Sequence, residues 1–265
     1  MLCPLCNSTN TKSFLKQTNY EIIKCSNCKN GFTSPPPVEL NYEHMDFHAN
    51  EIIAHEIPLR GYPELVKTHQ KTYDLNIKLI KKHLPNKKSK ILEIGSGEGI
   101  LAEMILKSGY DITCIEPSLT ASKRAIKRGL KCVQGFFPNS IIIDTKFDMV
   151  IMTQVLEHIE QPLKLLKNIY KQLEKGGLIL LNQTNFESLI VKIQKENWYA
   201  WLPKQHYWHF TPKGIKEISA NLGFKVVDCQ YSNLVSLGRK EKLIRDLAIF
   251  FPKNQDQFHV LLQKQ

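Results

Sequence analysis

Arginine and long apolar runs are both scarce in this sequence. No apolar stretch approaches the ~18 residues that a membrane-spanning helix needs. The N-terminus, Met1-Leu2-Cys3-Pro4, lacks the basic-then-apolar pattern of a secretory signal. The expectation is therefore a cytoplasmic chain with reduced thiols. Its seven cysteines are an odd number, which does not complete a disulfide framework. There is no internal repeat and no low-complexity tract. Only five of the 36 basic residues are arginine, and base readout and bidentate phosphate grip favour Arg. The formal net charge of +11 thus reads first as a solvated lysine-rich face. Its densest cluster is Lys78, Lys81, Lys82, Lys87, Lys88 and Lys90. Nucleic acid is not the expected partner; attraction of an anionic substrate, an acidic membrane surface or RNA is the alternative.

What is present is ordinary for a folded protein: 42% hydrophobic and 23% charged residues in 265, enough for one large domain with a small module. Residues 1–37 hold two cysteine pairs and end in Pro35-Pro36-Pro37, a stiff spacer. Residues 38–85 read as a linker and helical cap, with a helix over 68–84 that stops at Pro85. From 86 to 265 short apolar strands alternate with amphipathic helices. Strands are expected at 90–94, 111–115, 130–134, 147–152, 177–182, 224–230 and 257–263, and helices at 99–108, 119–128, 161–174 and 212–222. This alternation predicts an α/β fold, a doubly wound, mostly parallel Rossmann-like sheet covered on both faces. An insertion around 185–212 carries an aromatic block.

Cys3-x-x-Cys6 and Cys25-x-x-Cys28 have the spacing of two knuckles that close a tetrahedral zinc site. A segment this short cannot bury enough apolar surface to fold alone, so a metal supplies the missing stability. Four thiolates leave no open position, which makes the zinc structural. Asn30 and Gly31 are expected to form the tight turn after the second pair. Cys114, Cys132 and Cys229 lie in strands and read as small core hydrophobes.

The sharpest signal is Ile91-Leu92-Glu93-Ile94-Gly95-Ser96-Gly97-Glu98-Gly99, an apolar strand running into three alternating glycines and then a helix. Glycine permits the turn and a close backbone approach to a ligand, and the helix start offers free N–H groups. The next strand ends in Ile115-Glu116-Pro117, where a carboxylate can accept both hydroxyls of a ribose. Together with Phe147-Asp148-Met149-Val150-Ile151-Met152-Thr153-Gln154-Val155-Leu156-Glu157-His158 and Lys175-Gly176-Gly177-Leu178-Ile179-Leu180, these motifs resemble class I S-adenosylmethionine-dependent methyltransferases, with a seven-stranded sheet. The four-cysteine head is similar to that of a bacterial small-molecule subgroup, often associated with surface-glycan and secondary metabolism.

The resemblance implies roles for particular residues. Gly95, Ser96, Gly97 and Gly99 would pack against the methionine part of S-adenosylmethionine, with Glu93 supporting the loop or meeting the amino group. Glu116 would hold the ribose diol and Pro117 would border the adenine. Thr153 and Gln154 would lie beside the sulfonium. Many relatives carry an acid after the third strand for the adenine amino group. Here Val133-Gln134-Gly135-Phe136-Phe137 has none, so Gln134, backbone near Phe136 or the Phe136 ring would take its place.

A sulfonium is an activated methyl donor, and orientation of the nucleophile contributes most of the catalysis. A base is needed only for a hydroxyl or acidic C–H nucleophile. The candidates are His158, at a strand end, and His206 and His209 in the aromatic block; His158 also reads as a packing residue. Glu157-His158 resembles a divalent-metal site of some quinone O-methyltransferases, but Gln154 stands where those carry another acid, so no catalytic metal is assigned. The block over 198–212 reads either as part of an acceptor pocket or as a packed loop. Residues 237–251 form an amphipathic basic stretch, read first as a helix packed on the sheet and otherwise as a contact with a membrane surface. The expected activity is methylation of a small-molecule acceptor, a surface-glycan sugar with transfer to oxygen favoured. The rivals are an RNA or protein methyltransferase that recognises its target through the ribbon, and a non-catalytic cofactor-binding scaffold subunit.

Overall fold

A computed structural model describes residues 1–38, 61–138, 145–233 and 251–265. Most of the amphipathic stretch at 237–251 lies outside them. The chain opens with three short strands, β1 (Thr11–Lys16), β2 (Glu21–Cys25) and β3 (Gly31–Ser34), followed by helix α1 (Gly61–His83). Then come β4 (Lys90–Ile94), α2 (Ile100–Lys107), β5 (Asp111–Glu116), α3 (Leu119–Lys127), β6 (Lys131–Gln134), β7 (Phe147–Thr153), α4 (Pro162–Gln172), β8 (Leu173–Thr184) and α5 (Leu189–Gln194). The last elements are β9 (Trp208–His209), α6 (Pro212–Ala220), β10 (Phe224–Ser232) and β11 (Gln257–Lys264).

Seven strands form one sheet in the order β10-β11-β8-β7-β4-β5-β6. The five strands from β8 to β6 are parallel, and β11 runs antiparallel to both β8 and β10. This is the class I methyltransferase architecture. The central strands read as near-continuous apolar runs because helices cover both faces. One layer is built on Leu92, Val150, Ile179 and Leu181, the other on Ile91, Met149, Ile151 and Leu180, all fully buried. Each such side chain contributes about 1.5–3 kcal/mol. β4 pairs with β5 on one side and β7 on the other, so the strand order reverses there. A crevice at the carboxyl ends of the strands is the geometric consequence.

Two expectations are corrected. The helix expected to reach 174 stops at Gln172, and β8 begins at Leu173. Lys175-Gly176-Gly177 therefore lies inside the strand as an irregularity, between the pairs Phe147–Leu173 and Met149–Leu178. A Cβ at Gly177 would come within 2.9 Å of the Glu174 carbonyl oxygen, so the bulge tolerates no side chain there. Cys114 is fully buried, but Cys132 and Cys229 are only half-buried.

The second sheet has the order β1-β2-β3-β9. Its fourth strand comes from the aromatic block, through the pairs Gly31–His209 and Phe32–Trp208. Ile22 of the cysteine segment packs in one cluster with Phe186, Trp198 and Trp201. The cysteine-bearing segment thus shares a sheet and a core with residues far along the chain.

Candidate active site

The glycine turn after β4 is tied to the end of β5. The Gly95 and Ser96 N–H groups both donate to the Ile115 carbonyl, at 2.8 and 3.3 Å. Gly97 has φ +55, a conformation that favours glycine, and its N–H donates to Glu116 Oε2 at 2.7 Å. A Cβ at Gly95 would lie 2.5 Å from Val155 Cγ2, and one at Gly99 2.2 Å from Leu130 Cδ1. Among the described residues, a Cβ at Gly97 would meet nothing within 4 Å. Two glycines are therefore dictated by protein packed behind them, whereas the middle one has no neighbour there among the described residues, a cradle that a side chain would fill. Glu98 braces the turn in a way the sequence did not signal. It is buried and accepts from Arg124 Nη1 at 2.6 Å, while Arg128 Nε donates to its carbonyl at 2.9 Å.

Glu116 is buried and its other oxygen, Oε1, accepts from the Ser118 N–H at 2.8 Å. Burial pushes its carboxyl upward, and these two N–H groups oppose the shift. Glu93 lies beside it, with one buried oxygen that has no partner among the described residues. Burial, then the charge of Glu116, pushes the Glu93 carboxyl up to about 8, against the Ala102 backbone N–H. Ser118 caps α3 by accepting from the Ala121 N–H. Gln134 donates to the Pro117 carbonyl at 2.9 Å, so the two residues expected near an adenine are held together. The Phe136 side chain is 37% exposed at the same edge.

At the end of β7, Gln154 adopts φ +54, an uncommon left-handed conformation for a residue with a side chain. Its N–H donates to the Asn182 carbonyl at 3.0 Å and its side-chain Nε2 to Asn182 Oδ1 at 3.0 Å. Thr153 Oγ1 accepts from Asn76 of α1 at 3.4 Å. His158 closes the short helical turn after β7, and its ring meets that of His206 edge-on at 4.6 Å. Burial lowers His158 to about 4, which keeps the imidazole neutral. His206 is buried, donates from Nδ1 to the Ala200 carbonyl at 3.0 Å, and is also held low by burial. Glu157, His158 and His206 each bring one donor atom within 4.8 Å of the others. The sequence reading, which looked only at position 154 for a further donor, missed that His206 joins this group.

His209 lies on the far side of His206, ring centroids 6.2 Å apart, fully buried against Trp201 and bonded through Nε2 to Thr33 Oγ1 at 3.2 Å. The Thr33 hydroxyl donates to the His206 carbonyl at 2.7 Å, so it accepts from His209, whose proton sits on Nε2. The structure therefore places His158 and His206 together and puts His209 in the seam with the cysteine segment.

Residues 68–228 match the family model described as a methyltransferase domain. The chain belongs to this family. An uncharacterized protein of Methanocaldococcus jannaschii is 27% identical over 172 residues, 64% of this chain and 80% of that protein. A ubiquinone biosynthesis O-methyltransferase of Caulobacter is 30% identical over 132 residues, 45% of this chain and 52% of the enzyme. The methyltransferase thus matches only about half the length of that relative. Among solved structures, magnesium protoporphyrin IX methyltransferase of Synechocystis with bound S-adenosylhomocysteine superposes with a TM-score of 0.58 at 12% identity, over 77% of this chain and 86% of that one. A methyltransferase of Archaeoglobus fulgidus superposes with a TM-score of 0.55 at 19% identity, over 77% of this chain and all of that one.

The cysteine head of the methyltransferase precedes the matched residues. Cys3 and Cys28 Sγ are 3.7 Å apart and Cys6 and Cys25 Sγ 3.6 Å apart. All four sulfurs lie within 4.8 Å of one another. A tetrahedron with Zn–S bonds of ~2.3 Å has edges of about 3.8 Å, so the four thiols fit that ion. Asn27 Nδ2 donates to Cys6 Sγ at 3.6 Å, the outer-shell support expected of a metal thiolate. Each pair is followed by a left-handed residue, Asn7 at φ +57 and Lys29 at φ +65. The turn expected at Asn30 and Gly31 is thus made by Lys29. Asn30 is buried and accepts from the Thr211 N–H at 3.0 Å. Gly31 is required because a Cβ there would lie 2.7 Å from the Phe186 ring.

Proposed function

We propose that this methyltransferase transfers the methyl of S-adenosylmethionine to an oxygen of a small-molecule acceptor, a sugar hydroxyl of the surface-glycan kind being the favoured class. The observation that carries the reading is the open cradle at Gly97 beside the buried Glu116. Bound there, the methyl donor supplies an already activated methyl, so the protein mainly has to bind and align. Gly95, Ser96 and Gly99 shape the turn, and Gly97 lets the backbone approach. Glu116 spends one lone-pair direction of each oxygen on its own backbone, and each oxygen retains a second that suits a ribose hydroxyl. Glu93, buried beside it, favours a cationic neighbour. Pro117 and Phe136 border the base, and Thr153 and Gln154 stand at the sulfonium end.

His158, in the turn after β7, is the best-placed base for an acceptor hydroxyl; burial keeps its imidazole neutral but also makes it a weak base, so alignment carries most of the work. His206 steadies its ring. O-methyltransferases among the relatives support oxygen as the acceptor atom. The reading also assigns a structural zinc to Cys3, Cys6, Cys25 and Cys28, which holds the head against the aromatic block. Two measurements test this function: titration calorimetry with S-adenosylhomocysteine, and an acceptor screen across cell-extract fractions with radiolabelled methyl donor. Absence of heat and of any labelled product overturns it.

A further inference from the structure

Thr153, Asn182 and His259 lie side by side across β7, β8 and β11. With Asn76, and beside the buried Thr72, Ser232 and Gln257, they form a polar group within the core, and Asn76, Asn182 and His259 are fully buried. The direction of every hydrogen bond in the group follows from one fixed point. The Phe258 carbonyl can only accept, and Asn182 Nδ2 lies 3.3 Å from it. The Asn182 amide NH2 therefore faces Phe258, and its Oδ1 faces Gln154, whose Nε2 must donate across 3.0 Å. The same NH2 approaches His259 Nε2 at 3.2 Å, and Ser232 Oγ then turns its one proton to that nitrogen at 2.8 Å and away from the longer contact with Gln257 Oε1 at 3.4 Å. Nε2 is therefore the bare nitrogen and the ring proton sits on Nδ1, which donates to Asn76 Oδ1 at 2.7 Å. The remaining Asn76 Nδ2 donates to Thr153 Oγ1. Burial holds His259 at about 3, so the ring stays neutral and the arrangement does not reverse.

We infer that His259 is a positioning residue of the methyl-donor site: together with the Phe258 carbonyl it anchors the Asn182 NH2, and through Asn182 the Gln154 amide is held with its carbonyl Oε1 turned away from the core and toward the crevice beside the glycine turn. The next residue, Val155, packs directly behind Gly95, which puts Gln154 at the rim of that turn. The negative end of a locked carbonyl dipole favours a cation more than a neutral thioether. The inference rests on the proposed methyl-donor reading and deepens it. The network raises affinity for the sulfonium relative to the demethylated product, and so favours product release.

Two measurements test it. In the ligand-free wild type, nitrogen NMR of the ring should show a protonated Nδ1 and a bare Nε2, unchanged from about pH 5 to 9 as expected for a neutral buried imidazole. The opposite tautomer, or a protonation within that range, overturns the inference whatever the protein binds. Calorimetry of His259→Phe should then show the ratio of S-adenosylmethionine to S-adenosylhomocysteine affinity falling about 10-fold, the worth of one oriented hydrogen bond. His259→Gln, whose carbonyl can still accept from Asn182, should lie between this variant and wild type. Unchanged ratios in both variants overturn the inference while leaving the cofactor reading intact. Should His259→Phe fail to fold, the tautomer and the His259→Gln ratio decide. A wild type that binds neither nucleoside sinks the methyl-donor reading itself, and this inference with it.

Discussion

Glu116 and Glu93 occupy one buried corner and face opposite constraints. Both oxygens of Glu116 accept backbone N–H groups, so in Glu116→Gln the new NH2 must face a donor whichever way it turns. The turn loosens and the ribose loses a charge-assisted acceptor. S-adenosylhomocysteine affinity should drop roughly 10- to 100-fold by calorimetry, and an unchanged affinity would count against the assigned role. Glu93 leaves a signature in stability. Its carboxyl stands at about 8 in the folded chain against an ordinary 4.5. Between those values the folded protein holds a proton that the unfolded chain has released. The Glu93 contribution to stability should therefore fall as pH rises through this window, by up to about 1.4 kcal/mol per unit, against the opposite slope set by the buried, neutral His158, His206 and His259. It should level off above the window. Urea denaturation at several pH values should find it as a pH-dependent difference in stability between the wild type and Glu93→Gln, and a difference that stays constant with pH would count against it.

At the scale of elements, the glycine turn separates two kinds of glycine. Gly99→Ala sets a methyl against Leu130 and Ala125 at φ +79. Overpacking and left-handed strain together should cost about 2–4 kcal/mol in denaturant unfolding. Gly97→Ala carries the backbone strain without the clash, so it should cost only about 1–2 kcal/mol of stability and act mainly on cofactor affinity. The turn, its flanking strand and Glu116 were legible in the sequence because a period-breaking glycine run after an apolar strand is a local signal. The α4–β8 boundary was not. A helix and a bulged strand compete over Leu173–Gly177, and the pairing of Leu173 with Phe147 is a tertiary contact that decides between them. The polar group around His259 was equally hidden, because Asn76, Gln154, Asn182 and His259 become neighbours only when β11 inserts antiparallel between β8 and β10. Arg124 and Arg128 reach Glu98 only through the packing of α3 on the glycine turn, so that brace had no local signal either.

For the whole molecule, the cysteine head and the aromatic block are one construction. The Cys-x-x-Cys pairs could be read by spacing. The partner strand Trp208–His209 is two residues long and carries no strand pattern, so its pairing with β3 had no local trace. A zinc in the head should therefore be felt at a distance. Stripping it with a strong chelator, or Cys25→Ser, should take bound zinc from about one per chain to near zero. Emission of the buried Trp198, Trp201 and Trp208 should shift to the red, while S-adenosylhomocysteine still binds. Zinc retained in Cys25→Ser, or tryptophan emission indifferent to its loss, would speak against the ribbon as a clamp.

The shared sheet also bears on how the protein is handled in the laboratory. Trimming the chain at the triple proline, a natural-looking cut, would strip β9 of its neighbour and lay Trp208 and Ile22's former partners bare to water. Such an unpatched edge invites a second copy to add its own strand. Dimers or precipitates of the shortened protein would then report the missing head and not the native assembly.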